Sequence, residues 1–105
     1  MKLESVDTNI TIGSANIDLG ESLRTHAEEA ILKVASKYFG RLTVGSAHFN
    51  REGLEYRCSV NLQMGGLPMV TGEAIAKDIT LAFDNALSKA GKQLRRSKRE
   101  LRDDH

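Results

Sequence analysis

Seven of the fourteen residues from position 89 to 102 are basic: Lys89, Lys92, Arg95, Arg96, Lys98, Arg99 and Arg102. Glu100 alone opposes them, which gives this stretch a charge of +6; the rest of the chain holds eight basic and thirteen acidic side chains, a charge of −5. The net charge of +1 therefore hides a dipolar molecule with one concentrated cationic segment. Arginine forks to phosphate oxygens and lysine acts as a point charge, so the chemistry this segment offers is the binding of a polyanion.

The other reactive residue types form no comparable constellation. His26, His48 and His105 are far apart, with no H-x-x-x-H spacing and no carboxylate-backed pair visible in the sequence, so no metal site is expected. Cys58 lies on the apolar side of an alternating segment, where it reads as a small buried hydrophobe rather than a nucleophile. The neighbouring pairs Glu28-Glu29 and Asp103-Asp104 point different ways and cannot act as acid–base dyads. Gly65-Gly66 lacks a following Lys-Ser/Thr and a helix start to cradle phosphate. No catalytic residues and no cofactor are expected; the chain reads as a binding protein, not an enzyme.

Helical periodicity places the basic segment. Asp78 is a suitable N-cap for a helix over residues 79–102, about 36 Å long. On its wheel Ile79, Phe83, Ala86, Leu87, Ala90, Leu94 and Leu101 fall within an arc of about 100°. The seven basic residues take the opposite half, with Lys89, Lys92, Arg96 and Arg99 forming one ridge and Arg95, Lys98 and Arg102 beside it. Cations near a helix C-terminus also complement the macrodipole, but that purpose needs two or three, not seven.

Upstream, Ile10 and Ile12 alternate in a short strand over residues 9–13. Residues 16–21 carry turn chemistry, with Gly20 as N-cap. Leu23, Ala27, Ala30, Ile31, Val34, Ala35 and Tyr38 then recur at three- and four-residue spacing, which predicts a helix over residues 21–39 ended by Gly40. A strand over residues 43–50 turns inward Ala47 and Phe49, and Arg51-Glu52-Gly53 is read as the hairpin turn. Tyr56, Cys58, Val60, Leu62 and Met64 alternate with Glu55, Arg57, Ser59, Asn61 and Gln63, so the third strand has one apolar and one polar face. Val70, Gly72 and Ala74 give the inward side of a fourth. The order β-α-β-β-β-α predicts an α+β fold, a two-layer sandwich with two helices packed on one face of a four-stranded sheet.

A chain of 105 residues with 40% hydrophobic and 28% charged side chains suits one globular domain, residues 1–105. A single cysteine excludes an internal disulfide framework. No apolar run approaches the roughly 20 residues of a membrane span, and residues 1–7 lack a signal-peptide core, so a cytoplasmic protein without a membrane partner is expected.

Two stretches carry a family resemblance. Ile10-Thr11-Ile12-Gly13-Ser14-Ala15-Asn16-Ile17-Asp18-Leu19-Gly20-Glu21-Ser22-Leu23-Arg24 combines an isoleucine-rich strand, a Gly-x-x-Asn turn, an acidic residue and Glu-x-Leu-Arg. It resembles the start of the ribosome hibernation-promoting factors, ribosome-associated translation inhibitors also known as sigma-factor modulation proteins. Lys37-Tyr38-Phe39 with Arg41 is similar to the family's first-helix end. Asp78-Ile79-Thr80-Leu81-Ala82-Phe83-Asp84, followed by Lys89, Gln93-Leu94 and Lys98, is similar to its second helix. The resemblance covers essentially the whole chain and implies a fold like that of double-stranded-RNA-binding domains.

It further implies a protein that binds rRNA of the small ribosomal subunit in the decoding channel. There it would block the mRNA and tRNA sites and promote hibernation under stress or in stationary phase. By position the resemblance assigns rRNA binding to Arg24 on the first helix and to Lys89, Lys92, Arg96 and Lys98 on the second; Arg95, Arg99 and Arg102 extend the same face, and Lys33 and Lys37 are further candidates on the first helix. Two departures stand out: the first helix is longer by one residue, which shifts Lys33 and Lys37, and Thr80 replaces a tyrosine. The chain matches a short form or the N-terminal domain of a long form, so ribosome dimerisation would need a C-terminal domain or a second factor. Two other readings fit the residues: a general double-stranded-RNA-binding module, or a protein-binding regulator such as a sigma-factor modulator.

Overall fold

The computed structural model describes residues 10–37 and 41–103, with the backbone alone for residues 100–103. The elements are β1 (Ile10–Ser14), α1 (Gly20–Ala35), β2 (Leu42–Glu52), β3 (Glu55–Met64), β4 (Val70–Ala76) and α2 (Ile79–Asp103). They form the predicted α+β arrangement, a sheet of four strands in the order β1-β2-β3-β4. β1 pairs parallel to β2 across the α1 crossover, while β2, β3 and β4 form an antiparallel meander.

The alternation read from β3 is the burial pattern observed: Cys58, Val60, Leu62 and Met64 face the helices and are fully buried. Phe49 from β2 and Phe83 from α2 meet across the core, with ring centroids 6.1 Å apart. Ile31 from α1 and Leu94 from α2 complete the fully buried set. No polar or charged residue is buried among the described residues. Burial lifts the Cys58 thiol to about 12, so this cysteine is a packing group without thiolate character.

The ends of elements depart from the sequence reading in three places. Helix α1 starts at Gly20 (φ 76°), whose N–H is accepted by Asp18 Oδ1 at 3.3 Å, and the cap position is Leu19. It stops at Ala35 rather than Phe39: Ser36 Oγ donates to the Lys33 carbonyl at 2.8 Å and the Lys37 N–H closes a tight turn onto the Val34 carbonyl. Tyr38, Phe39 and Gly40, and likewise Asn9 and His105, lie outside the described residues. The hairpin turn is Gly53-Leu54, because β2 continues through Arg51 and Glu52, with Glu52 paired to Glu55. Gly53 (φ 64°) takes the first turn position, where the chain needs a residue without a Cβ.

The N-cap of α2 is as expected: Asp78 Oδ1 accepts the N–H of Thr80 at 2.8 Å and of Leu81 at 3.3 Å. Small residues bring the helix onto the sheet. Ala82, Ala86 and Ala90 are fully buried, and Gly72 of β4 lies directly beneath Ala86 and Ala90. A Cβ at Gly72 would stand 2.1 Å from the Ala86 carbonyl oxygen and 2.6 Å from the Ala90 nitrogen. Both are backbone atoms of a helix, so relief would require moving α2 as a whole.

Gly72→Ala is therefore expected to cost about 3 kcal/mol of unfolding free energy. Urea denaturation against the wild type measures it; an unchanged midpoint would mean that α2 is not seated by this contact.

Candidate nucleic-acid interface

With Ala86, Ala90 and Leu94 turned to the sheet, Lys92, Arg95, Arg96 and Arg99 are all exposed on the outer side of α2. Among the described residues none of these four is paired with a carboxylate. Lys98 is half-buried beside them. The backbone of Arg102 continues the helix, but its side chain lies outside the described residues. On α1, Lys33 lies in the last turn and Lys37 just beyond it, both exposed.

Two depressions flank this ridge. Between the β3–β4 loop and α2 lies a groove of about 490 Å³, bordered by Met69, Lys89, Lys92 and Arg96. Between α1 and α2 lies a cleft of about 290 Å³, bordered by Val34, Lys37, Asp84, Gly91, Lys92 and Arg95. Lys92 borders both, and the second cleft brings Lys37, just past the end of α1, together with Lys92 and Arg95 of α2. Lys33 does not border either depression.

Two of the basic residues are engaged by the protein's own backbone. β1 and β4 are the edge strands, whose outward backbone groups need partners. The Arg24 Nη1 donates to the Ile12 carbonyl of β1 at 2.9 Å. At the opposite edge Lys89 Nζ donates to the Glu73 carbonyl at 3.0 Å and Gln93 Nε2 to the Thr71 carbonyl at 2.8 Å. Lys89 and Gln93, one turn apart, thus tie α2 along β4, while Arg24 ties α1 to β1. The expectation that all seven α2 cations point outward is corrected for Lys89, whose ammonium reaches back to the sheet.

The open face of the sheet is occupied with itself. Arg57 bridges Glu52 at 3.1 Å and Glu73 at 3.0 Å, and Ser59 Oγ donates to Glu73 at 3.0 Å. Asn61 donates to Ser46 and accepts from Thr71. The Glu52 and then the Glu73 contacts raise the Arg57 guanidinium above its ordinary value; the Ser59 hydroxyl and then Arg57 hold the Glu73 carboxyl below its own. This is a wet face with paired charges, unlike the α2 ridge.

One pair was invisible in the sequence. His26 Nε2 lies 2.9 Å from Asp84 Oδ1, and its ring meets Phe83 edge-on at 5.6 Å between centroids. The expectation of no carboxylate-backed histidine is thereby corrected: the partners are 58 residues apart in the chain and meet only because α1 and α2 lie side by side. The described residues contain no group of three or more His, Cys, Asp or Glu able to hold a metal ion.

Residues 10–102 match the family described as sigma 54 modulation protein / S30EA ribosomal protein. A ribosome hibernation promotion factor of Rhizobium meliloti (strain 1021) is 27% identical over 99 residues, covering 92% of this chain and 51% of that protein. The chain thus spans about half the length of this relative. The N-terminal domain of Thermus thermophilus Protein Y superposes with a TM-score of 0.75 at 20% identity, over 85% of this chain and 98% of that one. A ribosomal subunit interface protein from Coxiella burnetii gives 0.74 at 18% identity, over 85% and 96% respectively. At these identities the two structures establish a shared fold.

Arg24→Ala should lower stability by about 1 kcal/mol, the value of a typical hydrogen bond, because it frees an edge carbonyl. Arg96→Ala should stay within about 0.5 kcal/mol of the wild type. Equal thermal shifts for the two would contradict the division between edge-covering and outward-facing cations.

Proposed function

Since the chain belongs to the sigma 54 modulation protein / S30EA ribosomal protein family, we propose that it is a ribosome-associated translation inhibitor that binds rRNA of the small subunit. Seated in the decoding channel, it blocks the mRNA and tRNA sites sterically and promotes ribosome hibernation in the cytoplasm under stress. Residues 1–105 act in this reading as a single ribosome-binding domain. Dimerisation of the bound ribosomes is assigned to a further domain or a second factor.

The observation that carries this reading is the exposure of Lys92, Arg95, Arg96 and Arg99 along one side of a helix whose other side is locked to the sheet. Each neutralised phosphate releases condensed counterions, so a rigid row of cations gains affinity without reading bases. Specificity then comes from the shape of the RNA surface and its 2′-hydroxyls. Lys37 extends the positive surface across the inter-helix cleft, and Lys33 adds a further exposed cation in the last turn of α1. Lys89 and Arg24 take part in a second way: they fix the two helices, and with them the spacing of the cations they carry.

With about six phosphates engaged, affinity for small subunits should fall by roughly three decades between 50 and 200 mM salt, approximately the range for such contacts. A filter-binding titration checks this, and a flat response would contradict the electrostatic account. The double reversal Lys92→Glu/Arg96→Glu should keep the wild-type melting temperature and lose co-sedimentation with subunits. Equal affinity for naked duplex RNA would favour a general RNA-binding module; binding that survives nuclease treatment and salt would favour a protein partner.

A further inference from the structure

Gly91 stands in the interior of α2, where glycine is the poorest helix former other than proline. Packing does not require it. A Cβ there would meet Val34 Cγ1 at 3.8 Å, an ordinary van der Waals contact, with no other atom closer. Gly72 is the opposite case, since its Cβ would overlap helix backbone. An alanine at position 91 would fit, improve the helix and touch α1.

The position does border the cleft between α1 and α2, with Lys37, Lys92 and Arg95 around it. Asp84 marks the other end of this cleft, about 10 Å back along the helix axis, and is held by His26. The cleft thus has an acidic side chain at one end and its cations at the Gly91 end, with Val34, Leu87 and Ser88 also lining it.

We propose that Gly91 is a positioning residue for RNA: its missing side chain lets one phosphate of the bound strand settle into the inter-helix cleft, within reach of Lys37, Lys92 and Arg95. This rests on the RNA-binding reading and deepens it by naming where the backbone enters. Charge-assisted hydrogen bonds weaken steeply beyond about 3 Å, so a methyl group beneath the phosphate would lift it away from three donors at once. Phosphates gripped only by the outer ridge would not sense that methyl. Asp84 repels an anion from the far end and so fixes which end of the cleft is used.

The test uses Gly91→Ala and Gly91→Leu, with Asn85→Ala as a control at an exposed position of the same helix. Melting temperature and affinity for purified small ribosomal subunits are measured for each over a salt series. Gly91→Ala should melt higher than the wild type yet bind roughly tenfold more weakly, with a salt slope reduced by about one phosphate. Gly91→Leu should bind more weakly still, and Asn85→Ala should bind as the wild type does. Wild-type affinity and slope in Gly91→Ala overturn the proposal while leaving the RNA reading intact. A wild-type protein that fails to bind subunits overturns the RNA reading, and this proposal with it.

Discussion

Helix α2 meets strand β4 at Gly72 with backbone against backbone, the Ala86 carbonyl standing where a Cβ would be. That approach is possible because the helix side of the contact is equally small, with Ala82, Ala86 and Ala90 all fully buried. Close packing of this kind leaves little freedom to rotate the helix about its axis. Phe83 and Leu94 anchor the helix in the core, and Lys89 and Gln93 fasten the flank to the free edge of β4. The rotation of α2 is thereby fixed, and with it the direction in which Lys92, Arg95, Arg96 and Arg99 point.

The outward face works against the stability of the isolated protein. Like charges three or four residues apart on a helix repel by a few tenths of a kcal/mol per pair, and the macrodipole offsets only those in the last turn. The open face of the sheet shows how the same chain neutralises charge internally, with Arg57 paired to Glu52 and Glu73, and Ser59 to Glu73. Lys92, Arg95, Arg96 and Arg99 have no such carboxylate partner among the described residues. In the RNA-binding reading, phosphates supply counter-charge to these four side chains. A rigid support for outward cations and a self-neutralised opposite face give the molecule two distinct sides.

Much of this was legible in the sequence. Strand β3 showed its two faces by strict alternation, and Asp78 followed by an apolar stripe marked both the start and the buried side of α2, which are local signals. Elsewhere the sequence was silent or pointed past the observed boundary. The end of α1 depends on Ser36 turning back to the Lys33 carbonyl, a choice hidden behind the helical spacing that runs on to Tyr38. The hairpin turn moved to Gly53-Leu54 because β2 gains pairs with β3 through Glu52. Composition identifies Arg24 and Lys89 as basic, but only the strand edges reveal that each also holds a carbonyl. His26 and Asp84 carry no motif, since their meeting follows from helix packing.

If the sheet holds α2 with its cationic side toward RNA, the two sides of the molecule must differ in what they touch on the ribosome. Site-specific photocrosslinking to small ribosomal subunits reads that difference, with the reactive group placed at Arg96 on the outer side of α2 or at His48 on the open sheet face, both exposed. Position 96 should give crosslinks to rRNA that disappear in high salt, and position 48 far weaker ones. RNA crosslinks from position 48 with none from position 96 would mean that the open sheet face, and not α2, meets the RNA.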